Sequence, residues 1–115
     1  PSGSSFYRGD AVPTLRNRLL VGCLADQRLK SFTITPPEGE PPALGETGQR
    51  HGDDWLDDAY TVTSHDLLVD ELGRIRHVEA GPDGALYAIT SNRDGRANAP
   101  FPMEYDDVLV RITER

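Results

Sequence analysis

The chain has 115 residues, which is an ordinary length for one domain. Hydrophobic residues make up 37% of it, so a large independent core is not expected, although the composition is not that of a disordered chain. The formal net charge of −7 makes phosphate backbones and anionic membrane surfaces poor partners. No apolar run is long enough for a transmembrane helix, and no signal peptide is recognised. A start at Pro1 instead of Met predicts a processed chain or a fragment.

The first half of the chain alternates short apolar-rich segments with turn residues, a pattern that predicts β-strands. The pair Asp26-Gln27 predicts a hairpin turn between two of these strands. Cys23 stands alone in an apolar run and is interpreted as a small buried residue, since one cysteine forms neither a disulfide nor a cysteine metal cluster. The predicted strands are 3–9, 18–25, 28–35 and 60–69.

Residues 36–59 interrupt this series and are predicted to be an acidic loop insertion. The segment begins with four prolines within seven residues, which cannot hold a regular sheet. Trp55 is its only large apolar anchor. We therefore expect a surface excursion between the third and fourth strands.

The second half predicts a hairpin and one further strand. Pro82-Asp83-Gly84 suits a tight turn, because proline presets φ, aspartate bonds its own backbone and glycine accepts a positive φ. The strands around the turn are 75–80 and 85–90, a loop with Gly95, Pro100 and Pro102 follows, and the last strand is 107–113. No segment has a helical period, so the pattern is all-β, and seven strands fit a β-propeller or a β-sandwich.

Arg74 and Arg76 are the strongest candidates for a binding site. Two residues apart in an extended chain, they are expected to share one face, while Ile75 and His77 share the other. Two guanidinium groups on one face repel each other unless an anion lies between them, and a ligand with several carboxylates would suit their planar donors. The alternative is two solvated arginines at a strand end.

Three segments, in order and spacing, resemble the glucose/sorbosone dehydrogenase family, the soluble sugar dehydrogenases that use pyrroloquinoline quinone (PQQ). Residues 73–90 read GRIRHVEAGPDGALYAIT and are similar to the family's R-x-R-D-V, G-P-D-G and L-Y-x-x-T segments. Residues 1–10, PSGSSFYRGD, resemble its PSG..FY.GD segment, and an apolar strand follows in both. Residues 107–112 stand where the family has its C-terminal strand.

This resemblance implies a six-bladed β-propeller of which the chain is the C-terminal part. Residues 1–72 would be the penultimate blade with the insertion 36–59, and residues 73–115 three strands of the closing blade. In the family an N-terminal segment supplies the fourth strand of that blade. Without it, an edge and an apolar face need the remaining blades or other copies of the chain as partners.

The function implied by the resemblance is oxidation of an aldose to its lactone, with hydride transfer to calcium-bound PQQ. Arg74 and Arg76 match the arginines that anchor the cofactor. The catalytic histidine and the main calcium ligands of the family lie in other parts of the enzyme. We therefore expect no catalytic residue and no metal ligand in this chain, no activity from it alone, and a periplasmic or secreted location.

Two departures from the family pattern leave alternatives open. His77 stands where the family usually has aspartate, and Ala25 where several members have a lysine that contacts the cofactor. Both favour a non-catalytic propeller module that has lost the cofactor. A lactonase-like propeller hydrolase with a central metal is a third interpretation, with less support because no carboxylate is obviously directed to an axis.

Other residues that often carry chemistry are expected to be structural or solvated. His51, His65 and His77 lack zinc-ligand spacing, and Ser4 and Ser5 lack a nucleophile motif. The paired aspartates lack a calcium-loop pattern, and the aromatic residues are interpreted as packing between sheets. These two sets are Asp53, Asp54, Asp57, Asp58, Asp106 and Asp107, and Tyr7, Trp55, Tyr60, Tyr87, Phe101 and Tyr105.

Overall fold

The computed structural model describes residues 2–51 and 60–114. In that part of the chain the regular structure is β, apart from one short 3-10 helix at Pro13–Leu15. No helix there is long and apolar enough to cross a membrane. The strands are β1 (Ser4–Tyr7), β2 (Arg18–Cys23), β3 (Arg28–Thr35), β4 (Gln49–His51), β5 (Thr61–Leu67), β6 (Ile75–Ala80), β7 (Leu86–Thr90) and β8 (Leu109–Ile112).

The strands form two antiparallel sheets. The first has five strands in the order β1-β2-β3-β5-β4, and the second has three in the order β6-β7-β8. All seven predicted strands are present, and the all-β class is confirmed. One strand was missed: β4 lies within the predicted loop 36–59 and pairs with the outer edge of β5. Its three residues are exposed, so it has no buried face from which a sequence pattern arises.

The two sheets pack face to face through one hydrophobic core. The five-stranded sheet contributes Tyr7, Leu20 and Leu29, each no more than 1% exposed. The three-stranded sheet contributes four buried side chains to the same core, namely Ile75, Val78, Leu86 and Ala88. Removal of these apolar surfaces from water holds the sheets together. Cys23 is buried as predicted, and burial raises the pKa of its thiol.

The faces directed away from the core carry large apolar side chains that lie open to solvent. Phe6 and Ile34 are 46% and 56% exposed on one outer face. On the other, Ile89 and Leu109 are 44% and 66% exposed beside a groove of about 360 Å³. Each sheet therefore has one covered face and one face on which large apolar side chains are exposed.

The hairpin turn at 81–84 forms as predicted. Gly84 has φ +83°, a conformation that favours glycine, and its N–H bonds the Gly81 carbonyl. Asp83 accepts hydrogen bonds from the Ala85 N–H, the Tyr87 hydroxyl and Arg111 Nε. The Tyr87 hydroxyl, followed by Arg111, lowers the pKa of the Asp83 carboxyl from 3.8 to about 2. This cluster joins the turn to β8.

Tyr7 connects the turn to the first sheet, and Tyr7→Phe tests that connection. The Tyr7 hydroxyl is buried, donates to the Gly84 carbonyl and accepts the Val12 N–H at 3.0 Å. Its removal should lower the free energy of unfolding by about 1–3 kcal/mol, because the buried Val12 N–H loses its partner and the Gly84 carbonyl keeps only the Ala11 N–H. Chemical denaturation measures this change. Tyr105→Phe, at a ring 55% exposed, is the matched control and should have no measurable effect.

Asp83→Asn is expected to remove part of the acid sensitivity of the fold. Because the folded-state pKa of Asp83 is depressed, its stabilising contribution is present above pH 3.8 and is lost as the pH falls toward about 2. The difference in free energy of unfolding between the wild type and the variant should therefore shrink across that window. Denaturation curves recorded at several pH values measure it. A difference that stays constant from pH 5 to pH 2 would contradict the prediction.

Candidate functional site

The candidate site lies where the chain enters β6. Residue 74 is fixed there through its backbone as well as its side chain. The Arg74 N–H donates to Asn92 Oδ1 at 2.8 Å, and the Arg74 carbonyl accepts the Ser91 N–H at 2.9 Å. The segment 91–94, which follows β7, therefore holds both backbone groups of Arg74.

The guanidinium of Arg74 is bonded to the same segment. Its Nε donates to the Ser91 carbonyl and its Nη2 to Asp94 Oδ2, each at 3.1 Å. The Arg74 side chain is 8% exposed and that of Asp94 is 30% exposed. A cation buried to this extent needs a paired, hydrogen-bonded anion, and Asp94 is that anion.

Asp94 is itself held in the ionised form. Its Oδ1 accepts the Arg96 N–H at 3.0 Å, within the turn around Gly95. This backbone hydrogen bond, followed by the charge of Arg74, lowers the pKa of the Asp94 carboxyl against the opposing effect of burial. Asp94 therefore carries its negative charge at neutral pH.

Asn92 completes the connection between the two segments. It is 1% exposed. Its Nδ2 donates to the Leu72 carbonyl at 2.8 Å, and its Oδ1 accepts the Arg74 N–H. Gly73 lies against it with φ +79°, and a Cβ at this position would stand 2.3 Å from Asn92 Oδ1. Both the backbone conformation and the close contact therefore require glycine before Arg74.

Arg76 is placed differently from Arg74, and the predicted shared face is wrong. Ile75 pairs with Thr90 and His77 with Ile89, so Arg76 is the extra residue of a β-bulge. A bulge interrupts the alternation of side chains, which is why Ile75 and Val78 both enter the core. The Arg76 side chain is exposed and forms no hydrogen bond or ion pair with any residue that the structure describes.

The bulge also lies at the contact between the sheets. The Arg76 carbonyl accepts the Gly3 N–H at 2.8 Å, at the residue before β1. Gly3 packs against the ring of His77, and a Cβ at residue 3 would stand within 1.8 Å of that ring. Two segments that resemble the family, residues 1–10 and 73–90, therefore meet at this point.

Polar side chains fasten the connecting segments at this end of the sheets. Gln27, 3% exposed, accepts the Asn98 N–H through Oε1 at 2.8 Å and donates from Nε2 to Asp70 at 3.3 Å. Arg93 donates to the carbonyls of Met103, Glu104 and Asp106. Ala25, at the position of the family's lysine, is exposed in the same turn as Gln27.

The remaining candidates have local contacts. His51 lies 2.7 Å from Ser64 Oγ, His65 lies 2.9 Å from the Ala43 carbonyl, and His77 lies 4.0 Å from Glu79. Asp106 and Asp107 accept hydrogen bonds from the loop and from Thr90 and Asn92. Within residues 2–51 and 60–114 no group of three or more potential ligands could hold a metal ion.

The aromatic residues divide between the core and the surface. Tyr7 and Phe101 are buried, Tyr87 bonds Asp83, and Tyr60 and Tyr105 are exposed. Trp55 and the four aspartates of the segment 52–59 lie outside the described residues. The packing interpretation is thus confirmed for Tyr7, which lies in the core between the sheets, whereas Phe101 is buried in the loop after β7 and Tyr60 and Tyr105 are at the surface.

Sequence reasoning missed Ser91, Asn92 and Asp94 as partners of Arg74. They lie at the start of the loop predicted after the strand 85–90, in which Gly95 has φ +86°. The Asp-Gly pair was the available signal, but it indicates a turn and does not indicate which cation the aspartate binds. Asn92 is 18 positions from Arg74, and no local pattern connects them.

Comparisons with known proteins show the family of the chain and agree with its all-β fold. The family model "Glucose / Sorbosone dehydrogenase" matches residues 1–99. The chain is 29% identical over 94 residues to the aldose sugar dehydrogenase YliI of Escherichia coli strain K12, an alignment that covers 82% of this chain and 19% of that protein. A solved glucose dehydrogenase matches with a TM-score of 0.58 and 28% identity, over 99% of this chain and 25% of that one.

The chain thus spans about a fifth to a quarter of the length of these two relatives. The family match, in contrast, covers most of the chain, including both sheets as far as the loop after β7. It also includes the arginine segment and the turn that holds it. The chain belongs to the glucose/sorbosone dehydrogenase family.

Proposed function

We propose that this chain is the C-terminal part of a quinoprotein sugar dehydrogenase, in which the segment with Arg74 and Arg76 anchors PQQ. The observation that carries the proposal is the exposed guanidinium of Arg76, whose backbone is held on a bulge at the contact between the two sheets. Family membership supports the oxidoreductase class of the parent protein.

The donor groups fit a ligand with several carboxylates. PQQ is such a ligand, and a guanidinium binds a carboxylate through two parallel, charge-assisted hydrogen bonds. No described residue bonds the side-chain donors of Arg76, so all of them can bind a ligand. Arg74, two positions away, is a second cation and is buried. The site therefore supplies directional donors as well as positive charge.

When bound, PQQ supplies the two-electron chemistry, and in this proposal calcium and the base come from other parts of the enzyme. The residues of this chain contribute binding and orientation. The hydrogen bonds of residue 74 fix the entry to β6, and the core residues Ile75 and Val78 fix the strand on both sides of the bulge. A cofactor held in a fixed orientation reacts without a further ordering step.

The architecture supports a place within a propeller. Two twisted antiparallel sheets packed face to face, of which the second has three strands, fit one complete blade and one that lacks its fourth strand. In this proposal residues 1–72 and 73–115 are those two blades. The sheet order puts the exposed β4 at the outer edge of the first blade.

We expect the rest of the parent chain to cover the open faces. Beside β8 lies a groove of about 250 Å³, which is where a fourth strand would pack, lined by Val12, Thr14, Leu15, Leu29, Leu67, Leu68 and Ile112. Within the described residues β8 pairs only with β7, so its other edge can accept a strand. The outer face with Ile89 and Leu109 would then meet the next blade.

The aldose substrate and a periplasmic or secreted location belong to the same proposal. The substrate is proposed from the family and from the name of the aldose sugar dehydrogenase relative, and the location is proposed from the family resemblance alone.

The isolated chain should associate with itself, because two apolar sheet faces are open. Size-exclusion chromatography with light scattering measures this, and we expect species larger than the 12.7 kDa monomer. The double variant Ile89→Lys, Leu109→Lys should reduce the association by placing charge on one open face. A soluble wild-type monomer that unfolds cooperatively would contradict the proposed place in a longer propeller.

The full-length protein should bind PQQ and reduce a dye in the presence of calcium and an aldose, whereas the isolated chain should not reduce the dye. Arg76→Met in the full-length protein should weaken PQQ binding by about tenfold or more, the loss expected for a charge-assisted pair. Fluorescence titration with PQQ measures the affinity. Arg50→Met, which removes the same charge from the exposed β4, is the matched control and should leave the affinity unchanged.

A full-length protein that shows no PQQ-dependent dye reduction would contradict the enzyme assignment. If it also folds and fails to bind PQQ, the result would favour the non-catalytic propeller module. The observation that favours this second function is the exposed alanine at position 25, in place of a cation.

A further inference from the structure

The inner face of the five-stranded sheet changes from apolar to polar along β3 and β5. Leu29 and Leu67 lie opposite each other on this face, at the edge of the hydrophobic core. Side chains two positions apart in a strand share a face, and the next three opposite pairs on this face are all polar. These pairs, which form a polar stripe, are Ser31 with His65, Thr33 with Thr63, and Thr35 with Thr61.

The segment 36–48 contacts the polar stripe at both of its ends. The Ala43 carbonyl lies 2.9 Å from His65 Nε2. Gly39 packs against the other end, where an added Cβ would stand 2.8 Å from Thr35 Cγ2. Ser31 and Thr63 are 0% exposed. The predicted loop is therefore folded onto the sheet here, above side chains that are polar and buried.

Four polar atoms of the stripe are buried without a partner. None of the residues that the structure describes forms a hydrogen bond with Ser31 Oγ, Thr33 Oγ1, Thr63 Oγ1 or His65 Nδ1. A buried polar atom without a partner is unfavourable, and native proteins satisfy nearly all such atoms with protein groups or ordered water. Because the four atoms occupy neighbouring positions of two paired strands, one shared ligand can satisfy them together.

The hydrogen bond of His65 defines the chemistry of that ligand. A carbonyl oxygen only accepts, so His65 Nε2 donates to Ala43 and carries the proton of the neutral ring. Nδ1 is then an acceptor that needs a donor, whereas each hydroxyl group can donate and accept. A simple anion has no proton to donate to Nδ1, and water has.

The charge of the site disfavours a metal ion. Hydroxyl groups and a neutral imidazole supply no negative charge, and hard cations prefer carboxylate ligands. Arg50 is the residue of β4 opposite Thr63, and opposite residues share a face, so the nearest charged group of that strand is positive. Water, which is neutral and both donates and accepts, fits the four atoms.

We propose that the polar stripe contains an internal hydration site, in which ordered water bridges His65 Nδ1 and the hydroxyl groups of Ser31, Thr33 and Thr63. A buried water forms about three hydrogen bonds, so roughly one or two molecules satisfy the four atoms. Opposite residues have Cβ atoms about 5 Å apart, a gap that water spans with two hydrogen bonds. The water joins β3 to β5 and, by fixing the His65 ring, holds the segment 36–48 on the sheet. The site does not depend on the proposed function.

Thr63→Val in the full-length protein tests the proposal, because it replaces a hydroxyl group with a methyl group of similar size. If water bridges the hydroxyl, that water loses a partner, and backbone amides of β3 and β5 should exchange with solvent about fivefold faster, the factor for one buried hydrogen bond. Hydrogen exchange followed by mass spectrometry measures the rates. Thr61→Val is the matched control on the same strand and face, with a hydroxyl that is not one of the four atoms, and should change the rates by less than about twofold.

Sharing of the water is tested by combining Thr63→Val with Ser31→Ala. The two residues are diagonal neighbours on adjacent strands, and each substitution alone should accelerate exchange. The double variant should exchange no more than about twofold faster than the faster single variant, because the first substitution has already disrupted the shared water. A crystal structure of the full-length protein should contain ordered water within hydrogen-bond distance of His65 Nδ1.

Three results would overturn the proposal. Unchanged or slower exchange in Thr63→Val would show that the hydroxyl has no partner, since removal of an unsatisfied buried group does not destabilise a fold. Increases that multiply in the double variant would show that Ser31 and Thr63 have separate partners. A crystal structure without water beside His65 Nδ1 would exclude the hydration site. If Thr63→Val fails to fold, Ser31→Ala and the wild-type crystal structure still decide between the outcomes.

Discussion

The burial of the Arg74 guanidinium is the constraint on which the site depends. A buried cation must be paired with an anion and hydrogen-bonded, and here both partners come from the segment that follows β7. The same segment bonds the backbone of residue 74, so the entry to β6 and the exit from β7 form one unit. The bulge that exposes Arg76 begins one residue further along the chain.

Sheet packing determines where this unit lies. Tyr7, Leu20 and Ile75 fill the space between the sheets, and the Gly3 N–H meets the Arg76 carbonyl at their contact. Apolar side chains on the two outer faces, such as Ile34 and Leu109, remain exposed. The strands β1 and β6 therefore contribute both to the core and to the candidate site.

Local patterns were sufficient to predict most of the secondary structure. Seven strands and the turns at Asp26-Gln27 and Pro82-Asp83-Gly84 arise from alternation and from turn chemistry that acts over a few residues. The short β4 was missed because an exposed edge strand buries no face. The shared face of Arg74 and Arg76 was wrong because a single extra residue in β6 reverses the alternation, and no composition signal marks it.

The sequence by itself determined the all-β class, the family resemblance, the positions of the strands and the arginine segment as a candidate site. The tertiary structure alone decided that Arg74 is buried against Asp94, that Asn92 and Gly73 hold the strand entry, and that Arg76 is the exposed member of the pair. Strand and turn preferences act between neighbours in the chain, whereas a buried charge selects its partner through space. Asp94 becomes that partner only after β6 and β7 have paired.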